Sequence, residues 1–574
     1  MDSGVGDSIL DVLARLFPRR AKKSALQIAP SAPPDVFAAA AFLLEISGAY
    51  HHVQPDGDPA ATTSPRIISM VDDDRTLAQT LADAWKAMPV KPATVPAEIQ
   101  HRWGELTKKY GNEPVYKELG INDPCPVWWK IALELLLAAD AAVADEVGWV
   151  PVRKLKSVWS IAVKQLVKDE LNDKSGRGFL NTIAFETNQD IANVLPKSRT
   201  PGVGCTVRSL SHHLALLPPR GVARAYWVSP VNADPAPADA LNVMIVPFPY
   251  AITATSFVPM SDKDLVRDRK WGWFSLKPTW LEKLSPDDVS DWVKALVKAG
   301  ETDCGAVHAI VLPELALDWP TYDKLANALK AFPQIEFLVS GLTTENQELR
   351  PGNFVATTLF EGGRVRQTMT RVREKHHRWK LDRAQIGTYA LSSALTPNAS
   401  WWEKLDIMSR SLDVFVVREK SSLTTLICED LARVDPCQEL VRAIGPNLVI
   451  ALLMDSAQIK DRWPARYATV LAEDPGCSVL TVNSRGLLDR ANAEGSWDRS
   501  DAIALWRDDT GAPRSICLPP NMDAVVMTLA GERKRERTLD GRSVSNAVSW
   551  HFHGQQPVRA DATDSLRKKM GRPA

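Results

Sequence analysis

Three residues of this chain have side chains suited to acyl-transfer chemistry, and each follows a run of apolar or β-prone residues. Glu314 is the only ionisable residue in "AIVLPELAL", Lys375 sits in "RVREKHHRWKLD", and Cys428 closes the run "LTTLIC" before Glu429 and Asp430. A carboxylate among apolar neighbours is partly desolvated, which lifts its pKa toward the range of a general base. A lysine supplies a fixed positive charge for an oxyanion, and a cysteine supplies the nucleophile. Acidic neighbours raise a thiol's pKa, so the cysteine needs a helper elsewhere in the chain. Lys375 is the residue expected to favour thiolate, with Glu314 taking the proton on attack.

The elements expected to carry these residues are strands. "LNVMIVPFPY", "GAVHAIVLPELAL", "FLVSGLTT", "NFVATTLFEGGRVRQTMTRVREK", "LDVFVVREK", "LTTLICED", "PNLVIALLMDS", "CSVLTVNSRG", "DAIALWRD" and "DAVVMTLAGERKR" are rich in β-branched residues and alternate with a few helices and hairpins. The class is α/β with mixed strand directions. "SPDDVSDWVKALVKAG" reads as a helix capped by Ser285, with Pro286 at its first position and Gly300 as its stop. Residues 1–228 are predicted to be an α-rich N-terminal domain. Their apolar residues recur at helical spacing in "DDDRTLAQTLADAWKAM" and "PVWWKIALELLLAADAAVADEVGW". The Pro-, Ala- and Asp-rich stretch 229–240 reads as a linker, 241–555 as the domain carrying the three residues, and 556–574 as a flexible basic tail.

In the order Glu, Lys, Cys, each at a strand end, the three are more specific together than singly. Residues from about 240 to 535 resemble the nitrilase superfamily of carbon-nitrogen hydrolases. "LPELAL" is similar to its Pro-Glu motif, "REKHHRW" to its Lys-x-His motif and "LICEDLARVDP" to its cysteine motif. The resemblance implies a four-layer α-β-β-α sandwich and a Glu314-Lys375-Cys428 triad acting through a thioester. It implies no metal and no organic cofactor, and frequent homo-oligomers. It also implies an accessory acid beyond the lysine, for which "RWKLDRAQIG" offers Asp382 or Gln385. His377 matches the histidine of the lysine motif, in a structural role, and Asp430 is expected to orient the cysteine turn through backbone N–H groups at the following helix start. The expected activity is hydrolysis of a non-peptide C–N bond, an amide before a nitrile. The alternative is a nitrilase-like binding or assembly module of a bacterial antiviral system, since such domains are found joined to reverse transcriptases and "MIVPFPY" looks like their opening. No polymerase is read in this chain, so that role needs a separate reverse transcriptase.

Bulk properties bound the remaining classes. At 574 residues the chain exceeds one ordinary core, so two or three domains are expected. Lys plus Arg (69) equals Asp plus Glu (69), so net charge names no partner. The basic runs "GERKRER" and "SLRKKMGRPA" read as a solvated hairpin and a frayed tail rather than direct nucleic-acid contacts. The expected partners are a small amide substrate, further copies of the chain and a protein met through the N-terminal domain. Seven cysteines without a C-x-x-C pair read as free thiols, and the apolar stretches are too short or too interrupted by charge to span a bilayer. A cytoplasmic location is expected. Nineteen tryptophans read as core anchors.

Overall fold

The β-prone runs form strands because each presents apolar side chains on both faces, or alternates them, as buried sheet requires. In a computed structural model the residues described are 6–573, apart from 21, 56–64, 89–94, 145–147, 150–153, 155–180, 230–233, 347, 363–365 and 496–497. Part of the expected linker, 230–233, therefore lies outside the described residues, as does 155–180 of the N-terminal region.

Two seven-stranded mixed sheets dominate. The first runs, edge to edge, Gln367–Glu374, Arg350–Glu361, Phe337–Glu345, Ala309–Val311, Ala240–Ile245, Ala524–Arg537 and Ser543–Val558. The second runs Arg514–Cys517, Ala502–Arg507, Ser478–Asn483, Leu448–Leu453, Ser421–Ile427, Ser411–Arg418 and Arg224–Val228. One core joins them: Val243, Ile245, Val339 and Val355 of the first share it with Val414, Leu426, Ile450 and Leu480 of the second. The period of two is visible within a single strand. Val243 and Ile245 enter that shared core, while Met244 packs with Trp292, Val293, Leu296 and Val297 of the helix Pro286–Cys304. Leu440, Val441, Ala465, Ala468 and Leu471, from the helices Glu439–Ile444 and Trp463–Glu473, pack against the second sheet.

The helix Pro286–Cys304 begins as its sequence predicts, with Ser285 and Asp288 forming a reciprocal capping box. It does not stop at Gly300. It ends at Gly305, whose φ is +78°, and Gly300 lies inside it because a Cβ there would meet Met244 at 2.7 Å. The glycine serves close packing, which periodicity alone does not distinguish from a stop.

The described residues of the first half are rich in helices. Helices Ile9–Leu16, Pro33–Ser47, Asp72–Lys86, Ala97–Gly104 and Val127–Ala142 build a core of their own around Trp103, Trp128 and Trp129. Its edge with the sheets is not where composition placed it. Arg224–Val228 precedes the expected linker yet pairs in parallel with Ser411–Arg418. Arg199 reaches Glu536 at 2.9 Å and Ser549 at 2.6 Å on the long hairpin. The run "GERKRER" is thus partly internal, since Glu536 binds both Arg199 and the Thr200 N–H.

The C-terminal segment is not a free tail. Ser543–Val558 is a strand, Asp564–Lys569 is a helix, and Arg567 and Arg572 donate to the fully buried Asp523 at 2.9 and 2.8 Å. A buried carboxylate holds the basic residues that looked solvated. Among the described residues no helix is long and apolar enough to cross a membrane.

Candidate active site

The strand Ala309–Val311 leads into Pro313 and Glu314, and the chain then turns sharply at Leu315, where φ is +57°. The neighbouring strand Phe337–Glu345 grips this turn: Gly341 N–H donates to Pro313 O at 3.0 Å, and Leu317 N–H donates to Gly341 O at 3.1 Å. Only glycine fits at position 341, because a Cβ would lie 2.3 Å from Leu315 N and 2.5 Å from Glu314 Cα. Glu314 is held pointing inward and is 1% exposed.

Lys375 is the first residue past the strand Gln367–Glu374, and its N–H donates to Asn353 O at 2.8 Å. Cys428 is the first residue past Ser421–Ile427, at the head of a short 3-10 turn, with φ of +46°. A non-glycine residue in the left-handed region is strained, and such strain at a sharp strand-to-helix turn is one way a nucleophile is presented. All three sequence-predicted residues are thus buried at strand ends.

They also converge. Lys375 Nζ donates to Glu314 Oε1 at 2.9 Å and to Glu403 Oε2 at 2.8 Å. Asn353 Nδ2 bridges the same two carboxylates at 2.7 and 2.8 Å. Cys428 lies within electrostatic reach of both, Glu314 raising its thiol pKa and Lys375 lowering it. The second carboxylate oxygen of Glu314 is buried without a hydrogen-bond partner, leaving it free to accept a proton.

Burial pushes the Glu314 carboxyl above its usual range, with Lys375 opposing and Glu403 reinforcing the rise. Burial works against the Lys375 ammonium, yet Glu314 and Glu403 oppose it and hold the lysine charged, above its ordinary pKa. For Cys428, burial and Glu314 together push the thiol well above its ordinary value despite Lys375. This corrects the expectation that the lysine favours thiolate at rest. The lysine is already neutralised by two carboxylates, so the resting sulfur is a thiol and must lose its proton during attack. Alkylation of Cys428 by iodoacetamide, followed by peptide mass mapping, is expected to rise about tenfold per pH unit between roughly pH 7 and 9 without levelling off. A plateau below about pH 8 would contradict the neutral resting thiol.

The accessory residues differ from the expectation. Asp382 is exposed and caps the helix Arg383–Thr388, accepting from Gln385 N–H at 2.9 Å, and does not reach the lysine. Its place is taken by Glu403, at the end of the short strand Ser400–Glu403, which also accepts from Trp379 N–H at 2.9 Å. Asp382→Ala is expected to cost about 0.5–2 kcal/mol of local helix stability and leave turnover intact. Glu403→Gln, which removes one charge from the lysine, is expected to lower turnover by about 10²-fold. Equal effects of the two substitutions on turnover would reverse the assignment.

Asp430 does not serve the backbone of its own turn. It accepts from Arg373 at 3.0 Å and from His376 N–H at 3.1 Å, tying the cysteine turn to the lysine loop. His377 is half-buried and bonds Asp435 O at 2.6 Å, a structural contact. His376 sits deeper, with Nε2 accepting from Ser411 N–H at 3.1 Å and Nδ1 3.0 Å from Cys437 Sγ. Past the end of the adjacent strand Leu448–Leu453, Asp455 accepts from Tyr389 OH at 2.7 Å and Arg462 at 2.6 Å, and raises the Cys428 pKa further. Sequence reading missed Glu403, Tyr389, Asp455 and Arg373. The one usable signal was Glu403 itself, an acid closing the aromatic run "SWW".

Among the described residues two groups have donors close enough for a metal: His376, Asp430 and Cys437, and Asp508, Asp509 and His551. In the first, the Arg373 guanidinium already supplies the positive charge to Asp430. In the second, Asp509 lies within 3.7 Å of Arg199 and 3.5 Å of Lys534, so cationic side chains again stand beside the acids.

No family model matches this chain, and no curated protein matches it. Solved structures do. It is similar to Saccharomyces cerevisiae Nit3, described as a member of branch 10 of the nitrilase superfamily, at 12% identity over 57% of this chain and 94% of that one, with a TM-score of 0.26. It is similar to a carbon-nitrogen hydrolase from Helicobacter pylori G27 at 9% identity over 58% and 93%, with a TM-score of 0.26. It is also similar to the C. elegans NitFhit protein at 12% identity over 58% and 64%, with a TM-score of 0.25. Superposition at these scores says nothing of the chemistry, for which the chain's own geometry is the ground.

Proposed function

We propose that the chain is a thiol hydrolase of the nitrilase superfamily, built on an α-β-β-α sandwich, that cleaves a non-peptide C–N bond, an amide in preference to a nitrile. The observation that carries this reading is the fully buried Lys375 ammonium between Glu314 and Glu403, with Cys428 on a left-handed turn within its field. In the reaction, Cys428 Sγ attacks the substrate carbonyl carbon as its proton passes to the free oxygen of Glu314. Lys375, held charged, stabilises the tetrahedral oxyanion. The C–N bond breaks as Glu314 returns the proton to the departing amine, leaving a thioester on Cys428. Water then attacks, Glu314 takes its proton, the C–S bond breaks and the thiol is regenerated. Glu403 and Asn353 orient the lysine and the base.

The organisation that goes with this reading is a helical N-terminal domain, met by a protein partner or by further copies of the chain, attached to a hydrolase domain that begins before residue 229. The test is to incubate the protein with a panel of amides and metabolite extracts and look by intact mass for an acyl adduct. We expect an adduct that maps to Cys428 and is absent from Cys428→Ala. A Cys428→Ala protein that keeps full biological activity would instead support the binding or assembly module of an antiviral system.

A further inference from the structure

Behind the lysine loop lies a cavity of about 530 Å³ whose lining includes four arginines, Arg220, Arg224, Arg371 and Arg410, and neither aspartate nor glutamate. That volume is within the range of sites that enclose small ligands. We propose that this cavity binds a small molecule carrying two or more phosphate groups.

The lining chemistry points one way. Arginine presents a planar fork of donors that matches phosphate oxygens, and the Ser409 hydroxyl and the Tyr226 ring complete a wall suited to an anion. The carboxylates that answer these arginines stand outside the lining. Arg220 pairs with Asp190 and Arg410 with Asp435, both between side chains that are about half-exposed, and Arg371 pairs with Asp413 while lying over Tyr226 at 4.9 Å. The two half-exposed pairs are weak, so the Arg220 and Arg410 guanidiniums are available to a phosphate at little cost, while Arg371 stays held by Asp413. Arg224 is exposed and has no ion pair among the described residues. The charge of Arg224, together with the two guanidiniums that can leave their half-exposed pairs, is spread over more donors than one phosphate engages and is matched by a diphosphate or larger group.

The site's position ties it to the chemistry. Met408 N–H donates to Glu374 at 2.8 Å and Ser411 N–H to His376 at 3.1 Å, so the segment forming one wall is fastened to both neighbours of Lys375. No residue of the proposed triad lines the cavity, and the binding claim stands apart from the hydrolase reading.

Calorimetric titration of the full chain with inorganic pyrophosphate and, separately, with ATP tests it. Saturable one-site binding of at least one probe is expected, weakened roughly 10- to 100-fold by Arg224→Ala combined with Arg410→Ala. Both side chains are exposed, so the double variant should melt with the parent; Arg224→Glu alone provides a second variant with the same expected direction. Absence of saturable binding by either probe up to about 5 mM would overturn the proposal. So would binding that both variants leave unchanged. Binding of a short single-stranded RNA at least about tenfold tighter than ATP would also overturn it, marking the face as a nucleic-acid surface.

Discussion

Lys375→Met is expected to abolish turnover and to destabilise the protein by about 3–5 kcal/mol, because it leaves two buried carboxylates facing one another without their cation. Methionine nearly matches the lysine in length, so the change tests charge rather than volume. In the parent, Glu314 and Glu403 each accept from the ammonium, and Glu314 is already raised by burial with Lys375 the main influence holding it down. Removing the lysine takes away the main influence holding Glu314 down and raises that carboxyl further above its unfolded value. A group whose folded pKa is raised is most favourable to folding below its unfolded pKa, about 4.3 for Glu, and loses that contribution as pH rises. The stability defect should therefore be larger at pH 8 than at pH 5, by thermal or urea melts. Adding Glu314→Gln and Glu403→Gln should recover much of the stability while the enzyme stays inactive. A Lys375→Met protein that melts with the parent at every pH would show that the ammonium is not the cation of this site.

How far the site was legible depends on how local each signal is. Glu314, Lys375 and Cys428 each end an apolar or β-prone run, so the strand gives the position and the interruption gives the residue. Glu403 was missed because, although it closes an aromatic run, what places it beside the lysine is remote. Its strand is four residues long and pairs in parallel with Trp271–Leu276, in a small four-stranded sheet with Lys380–Leu381 and Phe257–Pro259. Asp382 drew attention as an acid just past the lysine, but "DRAQ" is itself a capping signature, with Asp382 and Gln385 bonding each other's backbone. The boundary failed for the same reason as Glu403. Pro and Ala around 229–240 describe the local chain, whereas the parallel pairing of Arg224–Val228 with Ser411–Arg418 depends on a partner far along the sequence. Arg567 and Arg572 of the tail looked solvated because nothing nearby in sequence announces Asp523 beneath them.

Gly341 is where that remote packing sets the chemistry, and Gly341→Ala is expected to damage both. The new methyl would lie 2.3 Å from Leu315 N and 2.5 Å from both Glu314 Cα and Pro313 O. All three are backbone atoms, so no side chain can swing aside, and the strand Phe337–Glu345 must part from the glutamate turn. The hydrogen bonds Gly341 N–H to Pro313 O and Leu317 N–H to Gly341 O lie across that seam and would stretch with it. Overpacking of this kind costs about 1–3 kcal/mol, and more where nothing yields. The functional loss should be larger in proportion. Glu314 moves with its own Cα, and a displacement of about 1 Å in a positioned group costs on the order of 10²-fold in rate. The proper control is Gly387→Ala, in the helix Arg383–Thr388, where an added Cβ meets nothing within 4 Å. That change should leave turnover unaltered and stability equal or slightly raised. Measured side by side, a Gly341→Ala enzyme as active and as stable as Gly387→Ala would mean that the turn holding Glu314 is not gripped by this strand, and the general base would then have to be placed by something else.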